Sequence, residues 1–351
     1  MKHHHIVLLF SILIFKPLSA QLIDVATSLN LPIKMANSGN NLYIVLDVGG
    51  ITKVDITDAL PVPVGTFVIV GLNQPNGIAI NGNDLYIVEN GSGKISKIDL
   101  TATTPTSSDF LTGLSSPVGL FLADNTLYFS EVVGGKISKV DISSSSPSVT
   151  EIISGPNRVI DSFAISGNYL YFSDNGVGKI SKINLTDSTP SEEDVLTGLN
   201  LVSGIEIIGD DLYYSESGDL KVSKIDITSP NPSPTEVIST PGAPVGLLFL
   251  ENELYIAIRS GFKVSKLPQS ALSIEEFDSK KELKLFPNPS NDLIRVYGIT
   301  SDMKYAIYNV LGEQIANGVI SINNNIDIKS FTNGMYFLKF ENDVVLSFIK
   351  N

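Results

Sequence analysis

The 351-residue chain contains no cysteine and no tryptophan. Without cysteine there is no disulfide, no thiolate metal ligand and no cysteine nucleophile. Its three histidines, His3, His4 and His5, stand together at the N-terminus. Everything after them lacks the side chain most used for proton transfer near neutral pH. Positive charge is scarce as well: 24 Lys and Arg face 37 Asp and Glu, a net charge of −13. An acidic surface disfavours nucleic acid and anionic membranes as partners. Long hydrophobic runs are missing too. The longest, Ile6 to Phe15, is too short to span a bilayer, so no transmembrane segment is expected. Apolar residues nevertheless make up 43% of the chain, enough for an ordinary globular core.

The first residues read as a leader. "MKHHH" is a basic, polar start, "IVLLFSILIF" an apolar stretch, and "KPLSA" breaks it and ends on Ser19 and Ala20. That order predicts a signal peptide over residues 1–20. An expression tag would account for the histidines but not for the apolar stretch behind them. Residues 1–20 hold two lysines and no acid, so the chain without them would carry −15. With no cysteine there is no lipid-modified anchor.

A phrase then recurs: "LYIVENGSGKISKID" at Leu85, "LYFSEVVGGKISKVD" at Leu127 and "LYFSDNGVGKISKIN" at Leu170. One tyrosine marks each of six copies: Tyr43, Tyr86, Tyr128, Tyr171, Tyr213 and Tyr255. A spacing of 42 or 43 residues is that of stacked or radial repeats. The second copy holds four short β-rich segments: Asn76–Ile80, Asp84–Glu89, Lys94–Leu100 and Ser108–Leu114. Gly, Asn and Pro bound them, as they bound strands. Four strands in about 42 residues is a propeller blade. The expected fold class is therefore all-β, a six-bladed β-propeller over residues 21–268. Asp24–Leu29 resembles a fourth strand, and the sixth copy stops after its third, Lys263–Leu267. The N-terminal strand is thus expected to complete the last blade, which would leave no open edge.

The repeated phrase resembles the YWTD and NHL propellers. "LYFSD" stands where the former write "LYWTD", although tryptophan is absent throughout. The resemblance implies the fold and carries no particular ligand.

Three residues after the tyrosine stand Glu89, Glu131, Asp174 and Glu216. As an exposed arc they would hold a cation or a basic partner. The alternative is an ion pair with the lysine five residues later: Lys94, Lys136, Lys179 and Lys221. The lysines of "ISK" are followed two residues later by an acid or Asn184 in five copies. Residues i and i+2 share a strand face, so charge balance is expected there. The channel mouth would be lined by residues nine and ten before each tyrosine, mostly Gly, Ser and aliphatics, with Lys34, Asn76 and Asp161. Six-bladed lactonases gather several carboxylates and amides around a metal at such a mouth. A hard cation such as calcium wants about six oxygens or more, and Asp161 with Asn76 is a poor supply. Asp161 is expected instead to cap backbone or to bond Ser162. No blade carries a long insertion of the kind that usually bears chemistry.

After a charged linker, residues 269–284, a second unit follows over 285–351. It holds some seven short alternating segments and equal numbers of acids and bases from Lys284 onward, which predicts a small β-sandwich. "FPNPSND", "YNVLGE" and "NGMYFLKF" resemble, in this order, the type A C-terminal sorting domain of the type IX secretion system of the Bacteroidota. The motif residues are Pro287, Asn288, Pro289, Gly312, Gly334 and Tyr336. The resemblance implies Sec export to the periplasm, the type IX machinery as a partner, and release or attachment at the cell surface. The expected function is a non-catalytic binding module for a protein or a glycan. A metal-assisted hydrolase or lyase using Asp161, Asn76 and the acid arc is the alternative.

Overall fold

The structure, a computed structural model, describes residues 21–156, 158–268, 272, 283–286, 288, 290, 293–297, 302–320, 325–341 and 344–350. The expected leader, most of the linker, Pro287 and Pro289 lie outside the described residues. The chain divides into two compact units, Met1–Ser273 and Ile274–Asn351.

Among the described residues the first unit is built of β-strands, with two single-turn 3-10 helices. Its strands form six sheets. Sheet 2 is typical, with Pro75–Asn81, Asp84–Glu89, Lys94–Asp99 and Ser107–Thr112 antiparallel in that order. Sheets 1, 3, 4 and 5 repeat it, with inner strands Pro32–Ser38, Pro117–Ala123, Ile160–Ser166 and Val202–Ile208. In sheet 6, Pro244–Leu250, Glu253–Ile258 and Lys263–Leu267 are followed by Ile23–Thr27 from the N-terminus. Ile23 lies opposite Lys266 and Asp24 opposite Ser265. Short Val62–Pro63 then adds in parallel outside it.

Sequence explains the layering. The second strand of each sheet is apolar on both faces: Leu85, Tyr86, Ile87 and Val88 are all buried. A strand buried on both faces needs neighbours on both, and the adjacent sheets supply them. The fourth strand, such as Ser107–Thr112, is largely exposed. Inner strands of successive sheets touch, and that of sheet 1 touches those of sheets 2 and 6. Glycine makes this approach possible. A Cβ on Gly77 would stand 2.6 Å from the Leu120 nitrogen, and one on Gly246 2.4 Å from the Ile33 carbonyl oxygen. Serine hydroxyls tie the sheets together: Ser130 Oγ donates to Ile160 O and Ser173 Oγ to Ser203 O, each at 2.6 Å.

In the second unit the described strands form two sheets. One holds Lys284–Phe286, Leu293–Tyr297 and Asn325–Asp327; the other Gln314–Ile320, Met303–Asn309, Gly334–Phe340 and Val345–Lys350. Ile294 and Ile326 from the first sheet share a core with Ile307, Leu338 and Phe348 from the second.

Candidate functional site

Each inner strand begins with a bulge, for example between Pro32 and Lys34 and between Ile160 and Ser162. A bulge re-aims the side chains beside it, and here it brings polar groups from four sheets together. Lys34 Nζ donates to Asp161 Oδ2 at 2.8 Å and to the Val245 carbonyl at 3.2 Å. Ser203 Oγ donates to the same Asp161 oxygen and lies 2.9 Å from the Val245 carbonyl. Only 12% of the Lys34 side chain and 13% of that of Asp161 is exposed, so little solvent screens the pair. The expectation that Asp161 bonds Ser162 is thus corrected: its partners are Lys34 and Ser203. The Ser162 amide instead donates to Ser173 Oγ. Asn76 does not complete a ligand set, although its Oδ1 is buried and accepts no hydrogen bond.

The four turn acids are buried and face into the protein rather than forming an open arc. Glu89 accepts from the Asn73 amide at 3.0 Å and from Ser96 Oγ at 2.5 Å. Glu131 accepts from the Ser115 amide at 2.6 Å, and Glu216 from the Asn200 amide at 3.1 Å. Asp174 accepts from the amides of Val159 and Gly176, both at 3.1 Å. Except for Gly176, those amides lie in the segment leading into the inner strand of the acid's own sheet. Each buried acid thus has its carboxylate satisfied by a backbone amide at the entry to an inner strand. The expected lysine pairing holds for two of the four, Glu89–Lys94 at 3.5 Å and Glu216–Lys221 at 3.3 Å. Lys136 turns to Glu151, and Lys179 to Glu192 and Asp194.

The "ISK" lysines make their direct ion pairs across the sheet. Lys97 pairs with Asp84, Lys224 with Asp211 and Lys266 with Glu253, at 2.7–2.8 Å. Their ammonium groups lie over the rings of Tyr86, Tyr213 and Tyr255. The acids two residues on do other work. Asp55, Asp99, Asp141 and Asp226 each accept from the hydroxyl and amide of the Ser or Thr two positions later. These hydrogen bonds, the hydroxyl's first, hold all four carboxyls below their ordinary range.

In the second unit the described motif residues act on turns and core. Asn288 donates from Nδ2 to the Ser347 carbonyl at 3.0 Å and accepts at Oδ1 from the Ile349 amide at 2.9 Å. Gly312 has φ +80, a conformation that glycine adopts without strain. Gly334 opens the strand that carries Tyr336. Tyr336 is buried, stacks on Phe348 at 5.4 Å and donates its hydroxyl to the Thr332 carbonyl at 2.8 Å.

Two features escaped the sequence reading. The turns between second and third strands carry exposed apolar tips: Val48 at 57%, Val133 at 62%, Val177 at 53%, Leu220 at 43% and Phe262 at 49%. The turn in sheet 2, "NGSG", has none. Each inner strand starts opposite the end of a second strand, as Pro75 does opposite Glu89. The tips therefore share the face of the Lys34–Asp161 pair. Apolar residues inside glycine-rich turns were the available signal. The second feature is Glu206, which lines a cavity along the inner strands.

Residues 284–350 match the family model described as the secretion system C-terminal sorting domain. That match indicates secretion or cell-surface attachment through the type IX system, whose machinery is then a partner. Among the described residues no helix is long and apolar enough to cross a membrane. No curated protein matches the sequence. Solved structures do resemble the first unit. A gluconolactonase from Xanthomonas campestris is 17% identical, covering 71% of this chain and 89% of its own, with a TM-score of 0.58. An auxiliary nutrient binding protein from Bacteroides ovatus is 13% identical, covering 70% and 72%, with a TM-score of 0.59. A streptogramin B lyase is 16% identical, covering 70% and 96%, with a TM-score of 0.51. At these identities the likeness assigns an all-β, propeller-like fold and nothing about chemistry.

Proposed function

We propose that the protein is a secreted or surface-displayed binding module, a six-bladed propeller whose ring is sealed by Ile23–Thr27, and that it performs no chemistry. Contact between the inner strands of sheets 1 and 6, and the pairing of Ile23–Thr27 with Lys263–Leu267, support the ring. In this reading residues 1–20 are a leader removed on Sec export from a Bacteroidota-type cell. Residues 21–268 are the propeller and 269–284 a linker. Residues 285–351 are a β-sandwich recognised by the type IX machinery.

The observation that carries the non-catalytic reading is the Lys34 ammonium on Asp161. A metal-dependent hydrolase needs several free oxygens at this mouth. Here the Asp161 carboxylate already holds a cation, and the four turn acids are engaged by backbone amides. The residues present do not fit a metal. The binding face is the one bearing Val48, Val133, Val177, Leu220 and Phe262, because five of the six sheets present an exposed apolar residue there. Four of the five are aliphatic, which suits a protein partner better than a glycan. Calcium titration followed by thermal melting tests the reading, together with a panel of lactones. No shift and no turnover are expected. A rise of several degrees, lost in Asp161→Ala, would support the hydrolase or lyase instead.

A further inference from the structure

The inner strands line a cavity of about 260 Å³ that includes none of the exposed turn tips proposed above. Ile78, Leu120, Phe163, Ile205 and Leu247 give it apolar walls, and Lys34, Asp161 and Glu206 are its charged lining residues. Lys34 and Asp161 engage each other. Glu206 is left over. Its position relative to the repeat tyrosine holds Ala36, Ala79, Phe121, Ala164 and Leu248 in the other copies. Five sheets thus assemble with an apolar residue there, and the fold places no demand for an acid.

Glu206 is nonetheless held in position. Its Oε1 accepts the Phe249 amide from the next sheet at 3.1 Å. Burial pushes the carboxyl up to about 7, against the effect of that hydrogen bond. The residue keeps partial exposure, toward the cavity it lines. Tyr213, its cross-strand neighbour, is pushed up to about 12 by burial and stays neutral. A desolvated carboxylate without a cationic partner is unfavourable, and a cation brought to it relieves that.

We propose that this cavity binds a small organic ammonium ion, with its charged head on Glu206 and its alkyl or aryl body against Ile78, Leu120, Phe163 and Leu247. Entry is from the side away from the Lys34–Asp161 pair. Along the inner strands, exposure rises toward the C-terminal end: Val118, Gly119 and Leu120 are buried, whereas Phe121, Leu122 and Ala123 are half-buried. The volume lies just under the roughly 300–1,000 Å³ of drug-sized pockets, so the ligand is compact.

Calorimetric titration of the full chain with n-pentylammonium, against neutral 1-pentanol, tests this. Saturable binding of the amine is expected near pH 8, with affinity lower by about tenfold or more for the alcohol. The same loss is expected near pH 5.5, where the amine stays charged and Glu206 is protonated. Glu206→Gln should lose the preference for the amine. Glu206→Leu, which places here the residue that sheet 6 carries, provides a second variant, and melting checks that each is folded. No saturable amine binding, equal affinity for amine and alcohol, or amine binding unchanged in a folded Glu206 variant would overturn the proposal. None of these outcomes bears on calcium or lactones.

Discussion

Lys34 and Asp161 stand 127 residues apart in the chain and 2.8 Å apart in space. The pair draws on one inner strand of sheet 1 and one of sheet 4, and its largely buried setting makes it consequential for stability. Removing one partner of a buried pair strands the other, whereas replacing both with apolar groups is often neutral. Asp161→Asn should therefore destabilise the first unit by about 3 kcal/mol, and Lys34→Met with Asp161→Leu should recover most of that. Urea denaturation of the single and double variants measures it. A single variant as stable as the wild type would remove the basis for treating the mouth as internally neutralised.

Glu131 separates backbone support from ion pairing. Its carboxylate accepts the Ser115 amide, while Lys136, which faces it in the strand register, turns to Glu151. Glu131→Ala leaves that amide without its acceptor and should cost about 2 kcal/mol. Lys136→Ala, at an exposed pair, should stay within about 0.5 kcal/mol. Equal effects in thermal melting would favour the ion-pair account of the turn acids.

Asp24 makes the seam between the N-terminal strand and sheet 6 sensitive to acid. Burial pushes its carboxyl up, but hydrogen bonds from Lys263 and Ser265 and the charge of Lys263 outweigh this and hold it below the ordinary value. A depressed carboxyl contributes stability that is present above its unfolded value, about 4, and is lost as pH falls through its folded value. The protection factors of the Ile23–Thr27 amides, taken against intrinsic exchange at each pH, should therefore fall below about pH 4. Asp24→Asn should flatten that acid-dependent component. Exchange rates in the variant that track the wild type through this range would contradict the assignment.

Asn288 fastens the last strand of the second unit by bonding both the Ser347 carbonyl and the Ile349 amide. The residue is exposed, so each bond contributes at the lower end of about 0.5–1.5 kcal/mol. Asn288→Ala should loosen Val345–Lys350 by about 1 kcal/mol, read as faster exchange at Ile349, and should lower the amount of protein reaching the culture medium or cell surface. Unchanged exchange together with unchanged export would show that the side chain is dispensable.

The strands, their lengths and their antiparallel order are legible in the sequence because they depend on local chemistry. Alternating and continuous apolar runs between Gly, Asn and Pro turns give strands whatever lies beyond them, and the repeated tyrosine marks where each unit recurs. The crowding of the inner strands at Gly77 and Gly246 is legible for the same reason, since a missing Cβ is a local fact. Partner choice is not. Nothing near Lys34 in the chain points to Asp161, and nothing near Glu89 points to the Asn73 amide rather than to Lys94. The spacing rule sends the lysine of "ISK" to the acid two residues on. The neighbouring strand instead offers Lys97 both Asp84 and the ring of Tyr86.

The amino-acid order alone thus determines an all-β chain of repeated four-stranded units ending in a sorting domain, because strand period and turn chemistry act over a few residues. Which charges neutralise each other between the inner strands, and which carboxyl is left facing the cavity without a cation, only the tertiary structure decides. Those outcomes depend on distances between side chains more than a hundred residues apart, and on the burial that raises the energy of any charge without a partner.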